Sequence, residues 1–329
     1  MLTATDDEFI AAWNRFRSPG KVASALNMSQ RAVYTRRRAV EAKLGVALPT
    51  SFNKATGPFT DAGKRADKIA ETRALKYEKE MHDTLTDGVV LVASDCHYWP
   101  GIVTEAHQAF CRLAKKLKPA MVVLNGDILD GARISRHPRI MWEQQPLLKE
   151  EIHAVQDRCN EIERATPGTK FIRTIGNHDA RFENYLSGRV TEVEGMPGST
   201  LLDYLPRWRA GWALHINAQT DGWVAIRHRP VSGGIHAAYN STLKAGISYA
   251  HGHLHQLKVT PWGDYRGRRY GVDTGTMAEP GGPQFNYAEA GPANWASGFA
   301  VLTFKDGRLL PPELVVVDQG KAWFRGAAV

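Results

Sequence analysis

Cysteine is scarce in this chain: three in 329 residues, Cys96, Cys111 and Cys159. Three cannot all pair, which excludes a disulfide scaffold, and their spacing is not that of a thiolate zinc site. A reducing cytoplasm is the expected setting. Long apolar runs are also missing. None approaches the ~20 residues that a helix needs to cross a bilayer, so no membrane partner is expected. The opening residues, MLTATDDEFI, are acidic and lack the basic-then-apolar order of a secretory leader. No internal repeat is visible, which sets repeat architectures aside. What remains is 43% hydrophobic and 23% charged, an ordinary globular composition with enough chain for a sizeable core.

Charge is present but unevenly placed. The net charge is +8, and residues 1–80 hold fifteen Lys and Arg against nine Asp and Glu. A cationic surplus in the first quarter of the chain points to a polyanionic partner there. Residues 1–50 read as short helices with tight turns. Residues 51–86 read as a loop, SFNKATGPF, and then a polar connector helix from Thr60 to about Leu85 with a thin apolar stripe (Ile69, Met81, Leu85). From 87 to 329 the pattern changes. VVLVAS, AMVVLNG, KFIRTIG, WVAIRH and ISYAHG alternate with helical or loop stretches, which suggests βαβ units and an α/β layered domain. Near the end, GFAVLTFKDGRLLPPELVVVD predicts a hairpin turning at Asp306-Gly307.

The chemistry lies where those strands end. HGHLHQ, 251–256, puts three histidines into six residues. In extended backbone all three would share a face, whereas a bend at Gly252 would leave His253 and His255 as the working pair. The other apolar runs end alike: in Asp95-Cys96-His97, in Gly126-Asp127-Ile128-Leu129-Asp130, in Gly176-Asn177-His178-Asp179, and in His228. In layered α/β folds such carboxyl ends gather along one edge, where sites are built. Five ends offering Asp, Asn or His predict one metal site. These donors suit Mn, Fe, Zn or Ni, and seven candidates fit two centres better than one that keeps an open position.

The ordered pattern D-x-H, G-D-x-x-D, G-N-H-D, a lone H and G-H-x-H resembles the calcineurin-like metallophosphoesterases over about residues 88–320. The resemblance implies a layered β-sandwich with flanking helices and two divalent metal ions, manganese first. Asp95, His97 and His255 would bind one ion and Asn177, His228 and His253 the other, with Asp127 bridging. A water between the ions would become hydroxide near neutral pH and attack phosphorus in line. His178, oriented by Asp179, would face the phosphate, and Asp130 would support by hydrogen bonding. His215 and His236 are rivals for the lone histidine; His228 is preferred because it ends the WVAI run. Outside the family motifs, GARISRHPR (131–139) makes Arg133, Arg136 and His137, together with Arg181, candidates for holding phosphate oxygens. Cys96 reads as a small buried filler.

KVASALNMSQRAVYTRRRAVEAKLG, 21–45, reads as two helices joined at Leu26-Asn27-Met28, with Ser29 capping the second. Val33 and Val40, with Ala32 and Leu44 beside them, would face the first helix. Arg31, Tyr34, Thr35, Arg36 and Arg38 would then be free to meet DNA. The stretch resembles the helix-turn-helix of LysR-type regulators at Ala23, Leu26, Ser29, Gln30, Ala32, Val33, Glu41, Leu44 and Gly45, and departs from it at Arg37 and Val40. A basic hairpin that packs on another domain or a second subunit is the alternative. The expectation is therefore a cytoplasmic, metal-dependent phosphodiesterase acting on DNA or nucleotides. A phosphomonoesterase and a DNA-binding regulator with a sensing domain are its rivals.

Overall fold

The computed structural model describes residues 4–45, 48, 77–289, 291 and 293–329. It divides into two compact units, Met1–Ala74 and Leu75–Val329.

The first unit contains three described helices, α1 (Asp6–Phe16), α2 (Pro19–Ala25) and α3 (Gln30–Leu44). Thr5 and Glu8 close a capping box on α1. Ser29 caps α3 by accepting from the Ala32 amide at 3.2 Å, the role its place before the helix suggests. Phe9 and Trp13 of α1 pack with Val22, Val33 and Val40. Leu44 does not join them and is 50% exposed. Its expected place is taken by Leu48, whose amide donates to Glu41 and whose carbonyl accepts from Arg37. Arg37 also lies 4.7 Å over the Trp13 ring and bonds Glu41 at 2.7 Å. A charged residue is thus accommodated at a position where an apolar one was expected, its stem covering an aromatic face.

In the second unit the expected connector helix needs correction. Residues 60–76 lie outside the described residues, but the remainder is not helical. Met81–Asp83 is a strand, β1, paired in parallel with β6 (Leu214–Ile216). Met81 is fully buried. Met81, Asp83 and Leu85 alternate with exposed residues, a period of two that a few residues among lysines and glutamates conceal.

Two sheets stack through an apolar layer. One has the strand order β1-β6-β7-β8-β10-β9, with β7 (Val224–Ile226), β8 (Ser248–His251), β9 (Lys258–Asp264) and β10 (Gly267–Asp273). The other runs β15-β14-β13-β11-β2-β3-β4-β5, where β2 is Gly88–Ala93, β3 Met121–Asn125, β4 Lys170–Thr174 and β5 Arg209–Gly211. Its antiparallel flank is β11 (Gly298–Lys305), β13 (Glu313–Asp318), β14 (Lys321–Phe324) and β15 (Ala327–Ala328). The turn at Asp306-Gly307 forms as expected, pairing β11 with β12 (Arg308–Leu309). Both turn residues have positive φ, which an Asp-Gly pair permits.

Alternation along β2 sorts its side chains. Val90 and Val92 enter the layer between the sheets, with Val123, Ile216, Ile226 and Val272. Leu91 and Ala93 face the helices α4 (Glu105–Leu117) and α5 (Leu148–Ala165). Because β2, β3 and β4 are parallel, and β7 and β8 are parallel, their carboxyl ends carry five loops to the site.

Candidate metal centre

The loop after β2 stays zipped to the loop after β3: the amides of Asp95 and His97 donate to the carbonyls of Gly126 and Asp127 at 3.0 and 2.9 Å. Alternation continues, so Asp95 and His97 face the site while Cys96 joins the core on the other side. Burial pushes the Cys96 thiol well up, consistent with a filler and not a nucleophile. At Gly252 a side chain would meet Asp95 Oδ2 at 2.4 Å, and at Gly176 it would meet Asp127 Oδ1 at 2.0 Å. Only glycine permits these approaches. The chain bends at Gly252 and separates its histidines. His251 is fully buried, its Nδ1 on the Gly252 carbonyl, while His253 and His255 reach the site.

Among the described residues three groups of potential ligands form, Asp95, His97 and His255, then Asp127, His228 and His253, and also His97, Asp130 and His178, each with its ligand atoms within 4.8 Å of one another. Asn177 joins the second, its Oδ1 3.3 Å from His228 Nε2. The hydrogen bonding decides the tautomers. His228 Nδ1 lies 2.9 Å from the Asn125 carbonyl, so it carries the proton there. Its Nε2 then presents a lone pair to Asp127 Oδ2 at 3.0 Å and to Asn177 Oδ1, both acceptors. Three electron-rich atoms facing one another call for a cation among them. Burial opposes a charge on this ring, yet the Asp127 and Asp95 carboxylates raise His228 to about 10, so where no ion stands among these atoms a proton on Nε2 supplies the positive charge, donated to Asp127 Oδ2. His97 repeats the pattern: Nδ1 lies 2.9 Å from Asp130 Oδ1, and its buried Nε2 has no partner among the described residues. Residues of this kind fit metal ions. Asp95 is held ionised as well: burial opposes its charge, but His255 and His228 together lower it to about 2.

His178 belongs to the third group, which shares His97 with the first. Its Nδ1 is 2.9 Å from the Asp130 carbonyl and 3.1 Å from Asp130 Oδ1, and its Nε2 accepts from Arg181 at 3.0 Å. Asp130, not Asp179, therefore orients this ring. The expected role of Asp179 is corrected: its carboxylate accepts the amides of Asp127, Ile128, Leu129 and Gly176. It clamps two ligand-bearing loops together. Of the basic candidates, Arg181 and His137 line the cleft that holds His178, and Arg136 lines the adjoining one. Arg133 does not reach either cleft; it donates to the Gln145 carbonyl at 3.0 Å. His215 accepts from the Trp223 indole and His236 precedes α7 (Ala237–Ala245), so neither joins the clusters.

Some participants escaped the motif reading. Glu151 of α5 is buried and accepts the Gly131 and Ala132 amides. Its only sequence sign is its place in the inward stripe with Val155, Cys159 and Ile162. Arg227 and Arg229 flank His228 and line the same cleft as Arg136; the run RHR was the available signal. In the first unit, Arg36 is tied to Asp6 and to the Ala4 carbonyl, each at 2.8 Å, which corrects its assignment as a free DNA contact. Thr35 donates its hydroxyl to the Arg31 carbonyl of its own helix.

A model of the calcineurin-like phosphoesterase family matches residues 88–257. The chain is 29% identical over 166 residues to the Gene 54 protein of Mycobacterium phage L5, covering 44% of this chain and 61% of that protein. It is 29% identical over 167 residues to the Gene 54 protein of Mycobacterium phage D29, with the same coverage. It thus spans less than two thirds of these relatives' length. In three dimensions it is similar to zinc-complexed Vps29 of Entamoeba histolytica, at a TM-score of 0.40 and 14% identity over 73% of this chain and 98% of that one. Vps29 of Chaetomium thermophilum gives 0.40 and 12%, over 73% and 96%. Likenesses this distant say nothing of this chain's substrate.

Proposed function

The chain belongs to the calcineurin-like phosphoesterase family of metal-dependent hydrolases, and from that premise we propose that it cleaves phosphodiester bonds, in DNA or nucleotides, with two divalent ions. Asp95, His97 and His255 would hold one ion and Asn177, His228 and His253 the other, Asp127 serving both. Manganese suits this donor set first, ahead of Fe, Zn or Ni. When bound, such ions polarise phosphoryl oxygens and make hydroxide available near neutral pH. The chain's own groups do the rest. With Nδ1–H held on Asp130, His178 keeps one orientation; once Nε2 takes up a proton in place of the Arg181 bond, it can steady charge on a phosphoryl oxygen or give the leaving oxygen its proton. Arg181, bonded to the Asp130 carbonyl at 2.8 Å, brings a planar cation to the same place.

The observation that carries the nucleic-acid reading is α3. Arg31, Tyr34, Thr35 and Arg38 recur at helical spacing and are all exposed, while Val33 and Val40 on the other side are buried. An exposed basic face of this kind suits the phosphates and groove of duplex DNA. The Mn-loaded full-length protein should turn over bis-p-nitrophenyl phosphate in preference to p-nitrophenyl phosphate and should cut plasmid or single-stranded DNA. A preference for the monoester would overturn the diester reading. Replacing Arg31 and Arg38 with Ala should flatten the log–log salt dependence of duplex binding by about 1.8. An unchanged slope would remove α3 from recognition.

A further inference from the structure

Two clefts meet beside the candidate metal centre, sharing Ser135, His137, Asn177 and Arg181 as lining residues. One, of about 590 Å³, is lined by Arg136, Arg181, Arg189, Arg227 and Arg229 and by no acidic residue. Arg136, Arg189, Arg227 and Arg229 are exposed, and none makes a salt bridge among the described residues. Tyr185 lies under the Arg189 guanidinium at 5.0 Å, and Trp212, 45% exposed, lines the same wall. The other cleft, of about 470 Å³, is lined by His178 and Asp130 and by the aromatic rings of Trp99 and Tyr287.

A phosphomonoester needs only the junction at Asn177 and Arg181. It leaves unexplained why unneutralised guanidiniums continue along one side and rings line both. A cationic groove interleaved with aromatics is how proteins track a single strand, cations on phosphates and rings on bases. Arg227 and Arg229 also bracket His228 on the turn after β7 and line the same cleft as Asn177, which lies beside His228. We infer that the substrate is a single polynucleotide strand lying through both clefts, with Arg189, Arg227 and Arg229 holding phosphates to one side of the reacting diester. This rests on the diesterase reading above and names its substrate.

The test measures binding of the full-length protein in chelator, by fluorescence anisotropy, to labelled oligo-dT and oligo-U of about 20 nucleotides, a length that exceeds a single-strand site of roughly 4–16. Each single-strand phosphate contact adds about 0.7 to the log–log salt slope, or roughly fivefold in affinity at 0.1 M salt relative to 1 M. Arg189→Ala with Arg229→Ala should therefore weaken binding roughly 25-fold at 0.1 M and flatten the slope by about 1.4. The paired Arg→Lys changes should restore the slope. The effect on either strand supports the inference and shows whether DNA or RNA is held. Unchanged affinity and slope on both strands would overturn it, as would a wild-type protein that holds neither. Because no turnover is needed, such a failure leaves hydrolysis of bis-p-nitrophenyl phosphate standing, and loss of that hydrolysis would not alter the binding result.

Discussion

Replacing Asp179 with Ala should cost the fold before it costs the chemistry. The side chain is 3% exposed, and its oxygens accept amides from Gly176 at 2.9 Å, Asp127 and Ile128 at 3.0 Å and Leu129 at 3.2 Å. None of these amides has another acceptor among the described residues. A buried donor left without a partner costs about 1–3 kcal/mol, so four should cost about 4 kcal/mol even at the low end. That is a large part of the 5–15 kcal/mol total typical of a domain. At roughly 2–4 °C per kcal/mol for a unit of this size, Tm should fall by about 8–16 °C. Asp179→Asn keeps one acceptor oxygen and turns an NH2 towards the remaining donors, so it should fall part of the way. The assay is thermal unfolding followed by circular dichroism in chelator, with the pH–rate profile of the metal-loaded variant beside it. If Tm stays within about 2 °C of wild type while the pH profile shifts, Asp179 acts through His178 and the clamp is wrong.

Asp127→Ala should strip both ions and His253→Ala mainly one, read by metal analysis of the purified proteins; two equivalents retained without Asp127 would refute the shared carboxylate. His178→Ala should keep its metals and lose turnover of an alkyl diester about 10²–10⁴-fold, with a smaller loss on an aryl ester whose leaving phenol needs no proton. Equal losses would assign the ring to charge stabilisation. Burial, and then the Asp130 charge, raise Glu151 to about 7 from 4.5, so the native state binds more protons than the unfolded chain between those values. Wild-type stability should therefore fall as pH rises through that window, by up to about 3 kcal/mol, and level off above it. Glu151→Gln should flatten the dependence, seen in urea midpoints across pH 4.5–8; an unchanged dependence would place the titration elsewhere.

The residues that the fold gathers into candidate ligand groups were legible because strand ends announce themselves: an apolar run stops and Asp, Asn or His follows. The partners of those residues were less so. Asp130 and Asp179 stand three and two residues past Asp127 and Asn177, and sequence spacing does not say which carboxylate reaches His178 Nδ1. Only the fold shows that Asp130 turns to the rings while Asp179, at the start of α6 (Asp179–Arg189), turns back to the loop amides. β1 was hidden for a different reason. Three residues of alternation carry too little period to outweigh the helical composition around Met81, and its pairing with β6 is a contact across more than a hundred residues. Arg37 misled through its type, since a sequence does not reveal that Trp13 lies beneath it.

Asp95, His97, Asp127, His253 and His255 all have left-handed backbone, with φ of 50°, 39°, 53°, 72° and 59°. Most side chains disfavour that region, and holding one there costs on the order of 1–3 kcal/mol. Glycine would relieve the strain but supplies no ligand. Asp, Asn and His tolerate the conformation best among residues with side chains, and all three are also donors that such a centre could use. The positions where the backbone may be glycine, 126, 176 and 252, are those where a second ligand-bearing loop passes too close for a Cβ. Two demands thus divide the loop residues between them. Where the turn must carry a ligand, Asp or His accepts the strain; where a neighbouring ligand needs the space, glycine gives up its side chain. Relaxing a left-handed candidate ligand by substitution would improve the backbone and remove a donor, so backbone comfort and donor supply oppose each other at these five positions.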